Sequence, residues 1–347
     1  MAVSAALNGI VAAILAALLF GASTPLAKLL LGQLPPQMLA GLLYLGSGLG
    51  LGLATLVRPP KGSLHGREWL WLAAAILAGG VLGPVLLMHG LLSTPASTSS
   101  LLLNLEGVFT ALLAWFVMRE NFDRRIALGM VAIVSGGLLL SWEGSLKLAP
   151  GALLVVAACF CWAVDNNLTQ KVSGGDPLRI AALKGGAAGA CNLAIAALLH
   201  QVRWPGALEV AGAGLVGFFG YGVSLVLFVL ALRHLGSART GAYFSLAPFA
   251  GAALSLVLFR DPIHWRFLVA AALMAVGVYL HLTEHHEHEH VHEDLEHTHE
   301  HVHDEHHQHE HGSDTPSGEP HTHFHRHRRL VHSHPHYPDI HHRHSHD

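Results

Sequence analysis

The sequence predicts an all-α polytopic membrane protein: ten transmembrane helices in two inverted five-helix repeats, followed by a disordered histidine-rich tail. Three observations predict it. Of the 347 residues, 52% are hydrophobic and 12% charged, against roughly 25% charged in a soluble domain. A gapless internal repeat runs through the apolar part. Finally, 25 of the 30 histidines lie from His281 onward.

The repeat is clearest between GLLSTPASTSSLLLNLEGVFTALLAWFVMRE (Gly90 to Glu120) and ALRHLGSARTGAYFSLAPFAGAALSLVLFRD (Ala231 to Asp261), at an offset of 141. Leu105 falls on Leu246, Gly107 on Pro248, Ala111 on Ala252 and Glu120 on Asp261. A second match, at an offset of 142, sets Ser23, Thr24 and Pro25 against Asp165, Asn166 and Asn167. Each copy spans an odd number of helices, so successive copies insert with opposite orientation, and in such proteins the site lies between the copies.

A spanning helix needs about 20 mostly apolar residues. Such runs begin near Asn8, Pro36, Glu68, Pro95, Arg125, Ala149, Leu178, Leu208, Ser237 and Ile263. The first is no signal peptide, because it has no basic leader and further runs follow. Three units result: residues 1–143, 144–283 and 284–347.

Taken in order, the first run holds Ser23 and Thr24 before Pro25. Proline frees a carbonyl, which the two hydroxyls could satisfy; a place on the solute pathway is the other reading. The second run is rich in glycine, which lets helices approach closely. The third ends near His89, read either as an interfacial residue or as a ligand. The fourth carries Asn104 and Glu106. A carboxylate at that depth costs a few kcal/mol unless it faces protein or water, so it is a functional candidate by default. A buried ion pair with Lys184 of the seventh run is the structural alternative. The sixth run carries Asp165, Asn166 and Asn167; Asp165 is the second carboxylate candidate, with a snorkelling position near the helix end as the alternative. Cys159 and Cys161, two residues apart, point to opposite sides of a helix and make poor joint ligands. No disulfide framework follows from cysteines inside apolar runs.

Ten basic residues fall in the even-numbered loops (Arg58, Lys61, Arg67, Arg119, Arg124, Arg125, Lys171, Arg179, Arg233, Arg239) and four in the odd-numbered ones. The basic side is cytoplasmic, so both termini are expected there.

Ten spans in two halves, with LLNLEGVFTALLAWFVMRE closing the fourth and SLAPFAGAALSLVLFRD closing the ninth, resemble the EamA-type drug/metabolite transporter superfamily. The family commonly reads Glu-Pro in the fourth helix; here Glu106 keeps the acid and Gly107 replaces the proline. The resemblance implies secondary transport, mostly export, without ATP; an enzyme is not expected, since no nucleophile or fixed metal triad is placed for chemistry. No P-loop pattern is present, which agrees.

From Glu284 the chain has 14 acidic and 4 basic residues. Lacking apolar residues for a core, it is expected to be disordered. Its His-x-His pattern points to transition-metal binding: alternate residues of an extended chain share a face, and neutral imidazole binds Ni²⁺, Co²⁺, Cu²⁺ and Zn²⁺ well. The candidate ligands are His285, His286, His288, His290, His292, His297, His299, His301, His303, His306, His307, His309 and His311, then His321, His323, His325 and His327. A pH-responsive segment is the alternative. A body of this kind with such a tail resembles the His-tailed transporters of nickel and cobalt resistance determinants.

The leading expectation is thus an inner-membrane exporter of Ni²⁺, Co²⁺ or Zn²⁺, with the tail collecting or sensing metal. The candidate pathway residues are Glu106, Asn104, Asp165, Asn166, Asn167, Lys184, Ser23, Thr24 and His89. The alternative is an exporter of an organic metabolite, amino acid or metal chelate, with a tail that only buffers metal. A metal-storage anchor that transports nothing is a third reading. Implied partners are the lipid bilayer, metal ions and a small solute, not nucleic acid; no cofactor is required beyond tail-bound metal.

Overall fold

A computed structural model describes residues 2–58, 66–118, 124–142, 148–172, 176–199, 205–282, 287–292, 295–301, 321–327 and 330–335. Two compact units result, residues 1–284 and 285–347.

The first unit is mainly helical over its described length, with an isolated β-bridge between Trp142 and Leu148. Its helices are α1 (Ala2–Leu31), α2 (Pro36–Val57), α3 (Glu68–Ala75), α4 (Gly83–Ser93), α5 (Ala96–Leu102), α6 (Leu105–Met118), α7 (Arg124–Ser141), α8 (Pro150–Gln170), α9 (Pro177–Leu198), α10 (Ala207–Gly217), α11 (Ser224–Phe244), α12 (Ala247–Phe259) and α13 (Trp265–Leu282). Among the described residues, eight helical stretches are long and apolar enough to span a membrane. Ala247–Phe259 and Trp265–Leu280 are apolar but shorter.

Proline opens several helices, at Pro36, Pro150 and Pro177, where its missing N–H costs nothing. Asp176 caps α9 by accepting from the N–H groups of Leu178 and Arg179. Two stretches depart from α geometry: π-helical turns at Ile76–Leu82, between α3 and α4, and at Phe218–Val223, between α10 and α11. They stand 142 residues apart, the same offset as the repeat. Both are glycine-bearing, and π-turns gather at functional sites.

One expected turn is not formed. The eighth run was expected to end before a ninth beginning near Ser237, but α11 continues through that point to Phe244. The equivalent stretch of the first half turns at Thr94 and Pro95. Pro95 stops a helix there, whereas Gly236 occupies the matching position and nothing between it and Pro248 forbids helix. The helical breaks deeper in do correspond: one at Leu103–Asn104, between α5 and α6, the other at Ser245–Leu246, between α11 and α12.

The packing is pairwise across the halves. α2 lies against α9, α7 against α13, α1 against α11 and α12, and α8 against α4 and α6. Exchanging the halves maps this set of neighbours onto itself. Small residues bring α2 and α9 together: a Cβ on Gly48 would stand 2.2 Å from the Gly186 nitrogen. Leu39, Leu43, Leu87, Met88, Leu102 and Met274 fill the shared core. Outward positions such as Leu56, Leu208 and Val257 are apolar and exposed, as a lipid-facing surface requires.

The second unit corrects the expectation of disorder. Four strands are formed: β1 (Glu287–His292), β2 (Leu295–His301), β3 (His321–His327) and β4 (Leu330–Pro335). β1 pairs antiparallel with β4, and β2 with β3. The His-x-His alternation has the two-residue period of a strand, and Val291, Leu295, Phe324 and Val331 add β-forming residues. Backbone pairing of this kind needs only strand partners and a consistent register. His285, His286, His303, His306, His307, His309 and His311 lie outside the described residues.

Candidate functional site

The polar residues of the apolar unit converge on the seam where α6, α8 and α9 meet the first π-turn. Glu106 stands in the first turn of α6, just past the helical break. Its Oε1 accepts from Asn166 Nδ2 at 2.9 Å. Asn166 Nδ2 also reaches Thr110 Oγ1 at 3.4 Å, and the Thr110 hydroxyl donates back to the Glu106 carbonyl at 2.8 Å. Asn167 Nδ2 donates to the Thr110 carbonyl at 3.3 Å and to that of Ala163 at 2.9 Å. Two asparagines and a threonine thus stitch α6 to α8 around one carboxylate.

The structural alternative for Glu106, an ion pair with Lys184, is not formed among the described residues. Lys184 Nζ instead meets Asp165 Oδ1 at 2.5 Å and donates to Thr169 Oγ1 at 3.0 Å. The Thr169 hydroxyl donates to the same Asp165 oxygen at 2.9 Å. The reason is helical spacing: Asp165 and Thr169 are one turn apart on α8, so both face Lys184. Nor is Asp165 a snorkelling residue, since only 7% of it is exposed. Its charge is matched inside the protein, as burial demands. Glu106 has no ion-pair partner among the described residues.

The first π-turn forms the back of this cluster. Its Gly79 carbonyl accepts from Tyr44 Oη at 2.8 Å and from Trp162 Nε1 at 2.9 Å. Its Gly80 carbonyl accepts from Asn192 Nδ2 at 2.9 Å, and Asn192 Oδ1 accepts from Gln37 Nε2 at 2.9 Å. Unpaired carbonyls in a membrane interior cost several kcal/mol each, so three side chains cover what the π geometry frees. Gly79 also makes room for the ion pair: a Cβ there would lie 2.0 Å from Asp165 Oδ2.

The remaining expected residues divide. Ser23 and Thr24 are buried on α1. Ser23 Oγ donates to the Phe20 carbonyl at 2.6 Å and is a hydrogen-bond neighbour of Tyr221. Tyr221 stacks on Tyr44 with centroids 5.4 Å apart, which links Ser23 to the π-turn cluster. Asn104 occupies the helical break: its Nδ2 donates to the Leu101 carbonyl at 2.9 Å, and Met274 Sδ lies 3.9 Å away. It ties off a freed carbonyl and stands apart from the Glu106 hydrogen bonds. His89 stands on the exposed side of α4, opposite buried Met88, and joins none of the described hydrogen bonds of the cluster.

Tyr44, Trp162, Thr110, Thr169, Gln37 and Gly79 belong to the cluster and were not among the expected residues. Polar side chains inside apolar runs were their only signal; the π-turn that gathers them leaves no pattern in the sequence.

A smaller polar cluster lies elsewhere. Lys28 Nζ donates to the carbonyls of Leu91 and Thr94, the latter at 2.7 Å. Asp261 acts on Lys28 electrostatically and accepts from Ser97 Oγ at 2.7 Å. These contacts join the ends of α1, α4 and α5 to the loop after α12. Among the described residues, no group of three His, Cys, Asp or Glu is placed to hold a metal ion.

Comparison with known proteins agrees with this architecture. The EamA-like transporter family matches residues 7–142 and again 149–283. An uncharacterized transporter of Methanothermobacter thermautotrophicus is 29% identical over 78% of this chain and 85% of its own. A probable amino-acid metabolite efflux pump of Salmonella typhimurium is 25% identical over 78% of this chain and 93% of its own. One crystal structure shares the fold, with a TM-score of 0.59 at 20% identity, over 80% of this chain and 97% of that one.

Proposed function

The chain belongs to the EamA-like transporter family, and on that basis we propose that it exports divalent transition metal (Ni²⁺, Co²⁺ or Zn²⁺) across the inner membrane. It is an integral membrane transporter and not an enzyme. The observation that carries the reading is the inequality of the two intramembrane carboxylates, Asp165 buried and Glu106 only partly so. Asp165 is neutralised by Lys184, whereas the Glu106 carboxylate meets, among the described residues, only the amide of Asn166. Glu106 is therefore the group free to hold a proton in one state and a cationic cargo in the other. Asn166 and Thr110 orient it; the Asp165–Lys184 pair and the π-turn fix the wall behind. Rocking of the two halves about this seam would expose Glu106 to each side in turn. Both termini are cytoplasmic in this reading, which sets the histidine tail where metal is to be collected.

A second reading has its own support. The described residues of the body offer no set of three metal ligands, and a relative carries the name of an amino-acid metabolite efflux pump. The cargo at Glu106 is then an organic cation, zwitterion or metal chelate, and the tail buffers metal.

Efflux from preloaded cells separates the two. Ni²⁺, Co²⁺ and Zn²⁺ are tested singly with the intact chain, a chain ending at Thr283, and Glu106→Gln. Faster loss of one metal, abolished by Glu106→Gln, is the expected result, and the truncation then measures what the tail adds. If no metal leaves faster than from cells lacking the protein, metal export is wrong and organic solutes are tested next.

A further inference from the structure

The tail is more than a string of independent ligands, because its two blocks pair in a definite register. In β2 and β3 the Cα partners are His297 with His325, His299 with His323, and His301 with His321. In β1 and β4 they are His288 with His334, and His290 with His332. Five histidine pairs therefore stand directly opposite one another across the ladders. The pairing also matches charge. The block from Glu284 to His311 holds ten acidic and no basic residues, whereas all four basic residues of the tail follow His321. One such match is in register: Glu296 opposes Arg326, a cross-strand pairing that favours this alignment over a slipped one.

We propose that the tail binds transition metal at these cross-strand histidine pairs, with His297, His299, His323 and His325 forming its tightest site. The proposal rests on the reading that the tail is a metal-binding segment and specifies where and how. Directly opposed positions in an antiparallel ladder have Cβ atoms about 4.5–5.5 Å apart. Metal–imidazole bonds are about 2.0–2.1 Å long, so one ion fits between two opposed histidines. Positions two apart on a strand share a face. Two successive pairs therefore offer four neutral nitrogen ligands, the number a tetrahedral Zn²⁺ site takes. Histidines at 297 and 299 come from the acidic block, and those at 323 and 325 from the block that follows. An isolated two-stranded ladder is marginal in water. Ligand bonds across it supply free energy for folding, so metal occupancy and strand pairing rise together. Metal arrival at the tail is thereby converted into a change of chain shape.

The test is a double-mutant cycle on the full-length protein in detergent, with Zn²⁺ titrated against a chromophoric chelator. One arm carries His297→Ala with His299→Ala, the second His323→Ala with His325→Ala, and the third all four changes. Each double variant is expected to weaken the tightest site at least tenfold, and the quadruple variant to weaken it no further. Removing His309 and His311, the same number of histidines but none of the four proposed ligands, leaves that site unchanged. Thr298→Pro breaks the ladder without removing a ligand and is expected to weaken the site comparably. Additive losses, or unaltered tight binding in Thr298→Pro, overturn the ladder while leaving the tail a metal binder. A wild-type chain that binds no Zn²⁺ overturns both.

Discussion

The two π-turns occupy equivalent places in the two halves, yet they do different work. At Ile76–Leu82 the freed carbonyls are covered by Tyr44, Trp162 and Asn192, and the turn backs an ion pair. Among the described hydrogen bonds, no side chain donates to a carbonyl of Phe218–Val223. The surroundings there are Ser23, Ser47 and Phe20, so the second turn serves packing. The backbone irregularity is common to both halves, and the chemistry has been concentrated in one. In a protein of repeated build, the site is therefore found where the copies differ.

The sharpest way to break this comparison is to unbalance the ion pair that only the first turn supports. Asp165→Ala leaves the partly buried Lys184 charge without its partner and is expected to cost about 3 kcal/mol, the low end for a buried pair. Adding Lys184→Met should return most of it, as read by thermal unfolding in detergent. Equal stability of the single and double variants would show that the pair is not a unit. Next in size is the contrast between glycines. Gly79→Ala drives a methyl into Asp165 and is expected to destabilise by about 1–3 kcal/mol. In the second turn, Gly222→Ala meets its nearest neighbour, Ser47 Oγ, at 3.5 Å and should change stability by less than about 0.5 kcal/mol. Similar losses at both positions would remove the distinction drawn here. Tyr44→Phe deletes one of two donors to Gly79 and is expected to cost about 0.5–1.5 kcal/mol; the measure is the midpoint of the same unfolding curve. Smallest is Gly107→Ala. Nothing lies within 4 Å of a Cβ there, so efflux is expected to match the parent chain.

Much of this arrangement was legible in the sequence because it rests on periodicity. The apolar runs marked the helices, and the repeat at offsets of 141 and 142 anticipated which elements would stand in equivalent places. Glu106 and Asp165 stood out as carboxylates in apolar surroundings, and both reach the cluster. Their partners did not stand out. Lys184 was equally available to either acid until the one-turn spacing of Asp165 and Thr169 was set against α9. The π-turns escaped notice because five-residue hydrogen bonding has no compositional mark beyond glycine, which packing also uses. The tail misled for a related reason. Low hydrophobicity argues against a core, but a ladder needs only backbone partners and a consistent register.

The Ser97–Asp261 contact fastens one half to the other at one end of the molecule. In the repeat, Asp261 corresponds to Glu120, but Ser97 corresponds to Ala238, which has no hydroxyl. The sequence therefore offers no matching serine–acid pair in the exchanged register. A hydrogen bond of this sort is worth on the order of 1 kcal/mol, which skews two otherwise equal populations about fivefold. In the rocking cycle proposed above, such a bond lengthens the stay in whichever state carries it. It decides where the empty protein waits, and so which compartment's solute it meets first.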